Sequence, residues 1–192
     1  RCGLGLGLEM LSFLKNHPFA VEAFFETSIV LTFALPKENL QQLIPACLSL
    51  DTFEDKWAFI AVALVQTKDL RPKGFPKIFG NDFFLIGFRV FVRYKTISGK
   101  NLRGLFILRS ETNKRRMEFF GNIFTHYNYS TTDITRTTDE LITTISSKTS
   151  DLKIDIDMDS PEVFLPQGSL FKSWKEARRY AGPLPFTFTY NA

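Results

Sequence analysis

The stretch FFLIGFRVFVRY, residues 83–94, decides the fold class of this chain. Its side chains alternate in a way that predicts one long strand with two different faces. One face carries Phe84, Ile86, Phe88, Val90 and Val92, and the other carries Leu85, Gly87, Arg89, Phe91 and Arg93. The turn at residues 98–101 and the apolar return at residues 102–108 predict that this strand has a hairpin partner.

Similar reasoning predicts strands along most of the chain. Runs that are apolar, alternating or threonine-rich occur at residues 27–34, 57–65, 129–136, 140–146, 152–158 and 184–190. Helices are predicted at residues 37–44 and 112–122, and the capping box Ser173-Trp174-Lys175-Glu176 begins a third, which Gly182-Pro183 ends. Residues 67–82 have the proline and glycine content of a loop.

The sum is a strand-dominated α+β protein with two or three short helices. Its sheet is expected to be mostly antiparallel and to curl towards a barrel. No linker or repeat divides the chain, so we expect one domain over residues 10–192. Residues 1–9 are interpreted as a leader or an artificial extension ahead of Met10.

Composition excludes several function classes. The chain has 192 residues, a net charge of +4 and 21 phenylalanines, enough to fill a core and to line a cavity. The basic clusters at residues 114–116 and 178–179 fall in helical patterns, so no nucleic-acid partner is predicted. No apolar run reaches the length of a membrane span, so no membrane partner is predicted either.

The two cysteines indicate a reducing, cytoplasmic location, because they are too few for a disulfide framework. Cys47 lies in an apolar run and is predicted to be a small core residue.

Metal or cofactor binding has little support in the sequence. His17 and His126 are the only histidines, and neither has a neighbouring carboxylate in a known ligand pattern. An acidic run follows one predicted strand, at Asp151, Asp155, Asp157 and Asp159. Calcium binding is conceivable there, but the glycine and spacing of a calcium loop are missing, which favours a solvent-facing strand.

The junction FFGNIFTHYNY, residues 119–129, has the composition of a pocket wall. A helical pattern ends at Gly121, and aromatic and hydrogen-bonding side chains follow at once. His126 is the candidate acid–base group of this junction, or else a hydrogen-bonded structural residue.

Arg89 is the second candidate site residue, because it is a cation on a largely apolar strand face. Such a guanidinium either extends to solvent or is buried with an anion, and inside a barrel it would anchor a carboxylate. Glu111, just beyond the partner strand, is the nearest candidate for an internal ion pair.

Several segments together resemble the YqjF-like proteins, an uncharacterised bacterial family. They are residues 48–57, 70–74, 83–94, 104–106, 120–126 and 181–188, in the same order. That family is similar in fold to acetoacetate decarboxylase, so the resemblance implies a cone-like barrel around a small-molecule cavity.

The same resemblance argues against decarboxylase chemistry. The decarboxylases carry Gly-Phe-Pro-Lys-Lys, whose first lysine forms a Schiff base, and the matching segment here is Gly121-Asn122-Ile123-Phe124-Thr125. Phe124 and Thr125 therefore replace both lysines, and Leu85 stands where relatives often have a glutamate. Without an amine no iminium can form, so the carbanion lacks its electron sink.

Three functions remain open at this point. In the first, the cavity binds a small apolar or aromatic carboxylate, lined by Phe88 or Phe91 and by Phe124, Tyr127 and Tyr129, with polar anchors Arg89, Asn122 and His126. In the second, His126 is the acid–base group of a lyase or hydrolase and Arg89 holds the substrate carboxylate. In the third, a solid barrel serves a structural or partner-binding role. A homo-oligomer is left open, and the ligand is not specified.

Overall fold

The computed structural model describes residues 20–157, 159, 164–182 and 184–189. Within these ranges the chain forms two β-sheets and three α-helices. The large sheet contains β1 (Val21–Pro36), β2 (Ser49–Leu50), β3 (Thr52–Phe53), β4 (Trp57–Pro72), β5 (Asn81–Lys95), β6 (Asn101–Thr112), β7 (Tyr129–Thr131) and β11 (Phe186–Phe188). The small sheet contains β8 (Thr135–Asp139), β9 (Ile142–Ser147) and β10 (Leu152–Asp157), and the helices are α1 (Lys37–Gln41), α2 (Arg115–Phe124) and α3 (Trp174–Ala181).

The strand-dominated α+β class and the mostly antiparallel pairing are confirmed. The main path of the large sheet is β1-β4-β5-β6-β11, and only the pairs that β6 makes with β7 and β11 are parallel. Closure into a barrel is not confirmed. Among the described residues this sheet ends at β1 on one side and at the short strands β7 and β11 on the other.

Two predicted boundaries are wrong, for reasons of pairing. The supposed loop after residue 66 begins as strand, because β4 continues to pair with β1, through two shifts in register, as far as the pair of Val21 with Pro72. The predicted strand 129–136 is two strands in different sheets: β7 lies beside β6, whereas β8 pairs with β9. The first difference comes from a partner distant in sequence, and the second from a change of sheet between β7 and β8.

The large sheet buries both of its faces. One face, called here the second-sheet face, packs Val62, Leu64, Phe84 and Ile86 against Ile145 of the small sheet. Farther along, the same face packs Val90 and Val92 against Leu40 of α1 and Ile44.

The opposite side of the large sheet is called the α2/α3 face. At one end, Phe83 and Leu85 pack against Met117 of α2 and Tyr129 of β7. At the other end, Phe59, Ala61 and Phe91 pack with residues from α3 and the segments beside it. Arg89 lies between these two apolar clusters.

The predicted start of α3 is confirmed in atomic detail. The Ser173 hydroxyl accepts a hydrogen bond from the backbone N–H of Glu176 at 3.2 Å, and the Glu176 carboxylate accepts one from the backbone N–H of Lys172 at 2.8 Å. The first bond satisfies a donor that a helix N-terminus leaves free, and the second ties the residue before the N-cap to the first turn. The prediction for Cys47 is wrong, because this residue is exposed in the turn that follows Pro45.

Candidate functional site

Arg89 lies flat over its own strand at the centre of the α2/α3 face. A Cβ added at Gly87 would lie 3.2 Å from Nε of Arg89, so the glycine provides the space for the guanidinium. Nε of Arg89 is buried and has no hydrogen-bond partner. The residue as a whole is half-buried, so part of the side chain remains accessible from outside.

Ser110 is the neighbour of Gly87 on β6 and shares this face. The two residues are register partners, Ser110 is fully buried, and its Oγ also lacks a hydrogen-bond partner. Two unpartnered polar atoms therefore lie at one position of the β5–β6 hairpin. Because native proteins pair most buried polar atoms, such a coincidence needs an explanation.

Ser110 reaches this face through a one-residue shift in register. Arg89 pairs with Ile107 and Phe88 pairs with Arg109, so Leu108 is an extra residue in β6. An inserted residue sends the side chains beyond it to the opposite face. Without this shift, Arg109 would stand opposite Gly87 and Ser110 would face the small sheet.

Tyr129 forms the wall beside Arg89. Its ring packs on α2 at Gly121, where an added Cβ would lie 2.4 Å from Cδ2 of Tyr129, so a larger residue would displace the ring. The side-chain amide of Asn122 donates to the Tyr129 carbonyl at 2.8 Å, and its oxygen accepts from the Tyr129 N–H at 2.7 Å. Asn122 thus joins α2 to β7, and its amide is committed to the backbone.

The protonation of Tyr129 follows from these surroundings. Burial raises the pKa of its phenol above the ordinary value, and Tyr127 raises it further, while the cation of Arg89 lowers it in part. The phenol is therefore neutral near pH 7 and can donate a hydrogen bond.

The remaining junction residues have mixed placements. Thr125, which the resemblance implied to stand in place of a lysine, donates its hydroxyl to the Gly121 carbonyl at 2.7 Å and follows the last residue of α2. Phe124 stacks on Phe120 at 6.4 Å between ring centroids. His126 and Tyr127 are half-buried, and the Tyr127 ring lies 6.1 Å from that of Tyr129.

Glu111 is not the partner of Arg89. It pairs with Ile86 and so faces the small sheet, on the opposite side of the hairpin. There it is 2% exposed, contacts Nε of Arg109 at 3.2 Å and accepts a hydrogen bond from Ser150. The expectation that it belongs to the site with Arg89 is corrected by the register shift at Leu108.

The aromatic residues proposed on the central strand also belong elsewhere. Phe91 is 1% exposed and packs edge-on against Phe59, with ring centroids 5.9 Å apart, in the core under α3. Phe88 lies on the second-sheet face, where the Arg109 guanidinium sits 4.2 Å from its ring centroid. The structure therefore brings Arg89 near Tyr129, whose ring neighbours Tyr127, and leaves Phe91 and Glu111 away from Arg89.

A cavity of ligand size is not confirmed. The cavity found between the two sheets measures about 40 Å³ and is lined mostly by apolar residues such as Leu64 and Ile145, with Arg136 beside them. Ligand pockets usually measure about 300–1,000 Å³. The cavity also lies on the second-sheet face, away from Arg89.

The described residues contain no group of three or more histidine, cysteine, aspartate or glutamate side chains that could hold a metal ion. On β10, Asp155 is exposed and accepts a hydrogen bond from Thr144 at 2.6 Å. None of the described helices has both the length and the apolar character needed to cross a bilayer.

Ser110 is the site residue that the sequence alone did not suggest. Counting back from the turn at residues 98–101 pairs Lys95 with Asn101, and this register would place Ser110 on the wrong face. The only local signal was Gly87, a residue without a side chain between two large apolar residues of a strand.

The described fold resembles that of acetoacetate decarboxylases. The crystal structure of acetoacetate decarboxylase from Legionella pneumophila matches it with a TM-score of 0.50 and 16% sequence identity. The match covers 76% of this chain and 51% of the enzyme, so the chain corresponds to about half of that protein. At this identity the match establishes the fold alone.

Residues 23–181 match the DUF2071 family, described as an uncharacterized conserved protein (COG2071), and the chain belongs to this family. The predicted membership of an uncharacterised family with an acetoacetate decarboxylase-like fold is thereby confirmed. A search of curated proteins found no match.

Proposed function

We propose that this protein binds a small organic carboxylate on the α2/α3 face, with Arg89 as the anion-binding group. The observation that carries the proposal is the pair of buried, unpartnered atoms, Nε of Arg89 and Oγ of Ser110, at adjacent positions of one hairpin. Both groups can donate hydrogen bonds to a carboxylate. The neutral phenol of Tyr129, whose pKa is lowered in part by the Arg89 cation, is a further candidate donor.

The surroundings of Arg89 favour an anion over a neutral ligand. No ion pair or hydrogen bond of this guanidinium occurs among the described residues, although Arg93, on the same face, is paired with Asp51. A half-buried cation without a counter-charge attracts an anion more strongly than an exposed one, because the local dielectric is lower. The aromatic rings of Tyr127 and Tyr129 favour a ligand with an apolar or aromatic body.

Schiff-base decarboxylation is not part of the proposal. That reaction needs a lysine whose pKa is lowered by burial or by a second cation. Every described lysine is exposed or half-exposed, and the two half-exposed ones, Lys37 and Lys68, form ion pairs with Asp55 and Asp82. The junction that matches the decarboxylase lysines has Phe124 and Thr125 instead.

Thermal unfolding in the presence of benzoate, phenylacetate and short aliphatic acids tests the proposal, with the matching neutral amides as ligand controls. A carboxylate at about 100 times its Kd adds about 2.7 kcal/mol to the stability of the folded chain. For a chain of this size each kcal/mol raises the melting temperature by roughly 2–4 °C. We expect a rise with at least one acid and none with its amide.

The same acids should have no effect on the variant Arg89→Leu and an unchanged effect on Arg136→Leu. Arg136 is an exposed arginine on the opposite side of the large sheet and serves as the matched control. The proposal fails if no acid shifts the wild type, or if the shift persists in Arg89→Leu.

A further inference from the structure

Most sheet edges in the described chain carry a feature that opposes pairing with another strand. The outer edge of β6 is covered by β11 at residues 104–106 and by β7 at residues 110–112. Between these two short strands lies the register shift at Leu108. Irregularity of this kind and covering strands are both ways in which proteins block edge pairing.

The small sheet protects its edges with charge instead. Its outer strand β10 carries exposed Asp155 and Asp157, and its other outer strand β8 carries exposed Arg136 and Asp139. Charged side chains disfavour the approach of a second strand, because pairing would strip them of water.

Residues 28–35 of the edge strand β1 have neither form of protection. The whole strand is 16 residues long and pairs with β4 along one edge. Among the described residues no backbone hydrogen bond joins the other edge to a further strand. Its bulges precede residue 27, so residues 28–35 form a regular strand with continuous pairing to β4.

The regular part of β1 is also uncharged. Residues 28–35 read SIVLTFAL and contain no charged residue, proline or glycine. Val30 and Phe33, which point to opposite faces of the sheet, are 49% and 51% exposed. A long, regular and apolar edge is the kind that pairs with another strand.

We infer that residues 28–35 of β1 pair antiparallel with the same residues of a second copy of this chain, which makes the protein a two-fold dimer with one continuous sheet. In a two-fold antiparallel pair the strand meets its own sequence in reverse. A charged strand would then meet its own charges, whereas residues 28–35 meet without repulsion. Each copy supplies the backbone donors and acceptors that the other lacks.

The mass in solution of the full chain and of the variant Phe33→Lys tests this inference. Lysine on an edge strand opposes pairing with another strand, and this change places a like charge on the same face of both paired strands. The variant should therefore have half the mass of the wild type by light scattering. Ile97→Lys is the matched control, since Ile97 is a fully exposed apolar residue in the β5–β6 turn, and it should retain the wild-type mass.

Amide hydrogen exchange separates edge pairing from the stacking of apolar faces. In the wild type, the amides in residues 28–35 that do not bond to β4 should exchange slowly, and in Phe33→Lys they should exchange at least tenfold faster, while amides of β5 stay protected in both. The inference is overturned by a monomeric wild type, by a dimer that survives Phe33→Lys, or by outward amides that exchange rapidly in the dimer. None of these outcomes depends on ligand binding at Arg89.

Discussion

The two faces of the β5–β6 hairpin differ in whether their buried polar groups have hydrogen-bond or ion-pair partners. On the second-sheet face, Glu111 is almost fully buried and has both Arg109 and Ser150 as partners. On the α2/α3 face, Nε of Arg89 and Oγ of Ser110 are buried with none. A buried charge or polar group ordinarily needs a hydrogen-bond or ion-pair partner if the fold is to be stable. The requirements of stability therefore explain the arrangement around Glu111, but they do not explain the arrangement around Arg89 and Ser110.

The difference is local to Arg89, because the α2/α3 face also contains a well-paired cluster. Asp51 is 3% exposed and lies 2.7 Å from Nε of Arg93 and 2.6 Å from the Arg103 guanidinium. Arg103 in turn contacts the carbonyls of Arg179 and Tyr180 in α3. Arg93 and Arg103 are thus paired where they hold elements together, whereas Nε of Arg89, on the same face, has no hydrogen-bond partner.

The largest effect on stability is expected from Glu111→Ala. This change leaves Arg109 and Ser150 without their buried acceptor, and the loss of one partner from a buried ion pair costs about 3–5 kcal/mol. Because Arg109 is about half exposed, we expect the lower end of that range. Urea unfolding at equilibrium measures it, with Asp139→Ala, a change at an exposed carboxylate, as the control. A loss no greater than the control's would mean that the second-sheet face does not depend on this pairing.

A smaller difference in stability is expected between the alanine variants of two buried serines, one with hydrogen-bond partners and one without. The Ser147 hydroxyl donates to Asp133 at 2.8 Å and accepts from the Ser150 N–H at 3.3 Å, whereas that of Ser110 has no partner. We expect Ser147→Ala to lose about 1–2 kcal/mol, and Ser110→Ala to be neutral or slightly stabilising. The same urea titration measures both. Equal losses would show that the Ser110 hydroxyl is satisfied in solution and would weaken the contrast between the faces.

The smallest expected effect is a pH-dependent loss of stability when Asp133, which binds the turn between β9 and β10, is replaced. Asp133 accepts hydrogen bonds from Ser147, Lys148 and Thr149, and these bonds hold the pKa of its carboxyl well below the ordinary value. A lowered folded-state pKa adds stability above the unfolded pKa of about 3.9, and that stability is lost as the pH falls below it. Asp133→Asn should therefore be less stable than wild type at pH 7, by a margin that narrows at pH 3.

Melting temperatures of both proteins across this range provide the measurement, with Asp139→Asn as the exposed control. A margin that stays constant with pH would mean that the hydrogen bonds to Asp133 do not depend on its charge.

Local patterns in the sequence predicted individual elements well. The alternation of residues 83–94 matches β5, whose two faces separate as predicted, and the Ser173 capping box begins α3. Each of these sequence patterns involves residues that are close together in the chain. The corresponding strand or helix start can therefore be predicted without knowing which distant segment packs against it. The expected end of the second helix at Gly121 is wrong, because α2 continues to Phe124 and Thr125 is its C-cap.

The assignment of side chains to one site was less predictable, because it depends on register between strands. Arg89 was identified from its own strand, but Glu111 was placed beside it, although Leu108 sends Glu111 to the other face. Asn122 was expected to bind ligand and instead binds the Tyr129 backbone. A partner seven residues away is beyond what helical or strand periodicity reveals.

The sequence by itself determined most of the long strands, the starts of α1 and α3, the cation on an apolar face and the absence of lysine at the junction. Only the tertiary structure decided which residues face Arg89, because one extra residue in β6 exchanges the two faces of the hairpin beyond it. Only the tertiary structure likewise showed that, among the described strands, β1 ends the large sheet with one edge unpaired. Alternation specifies that a strand has two faces, and pairing with distant strands specifies what each face and each edge meets.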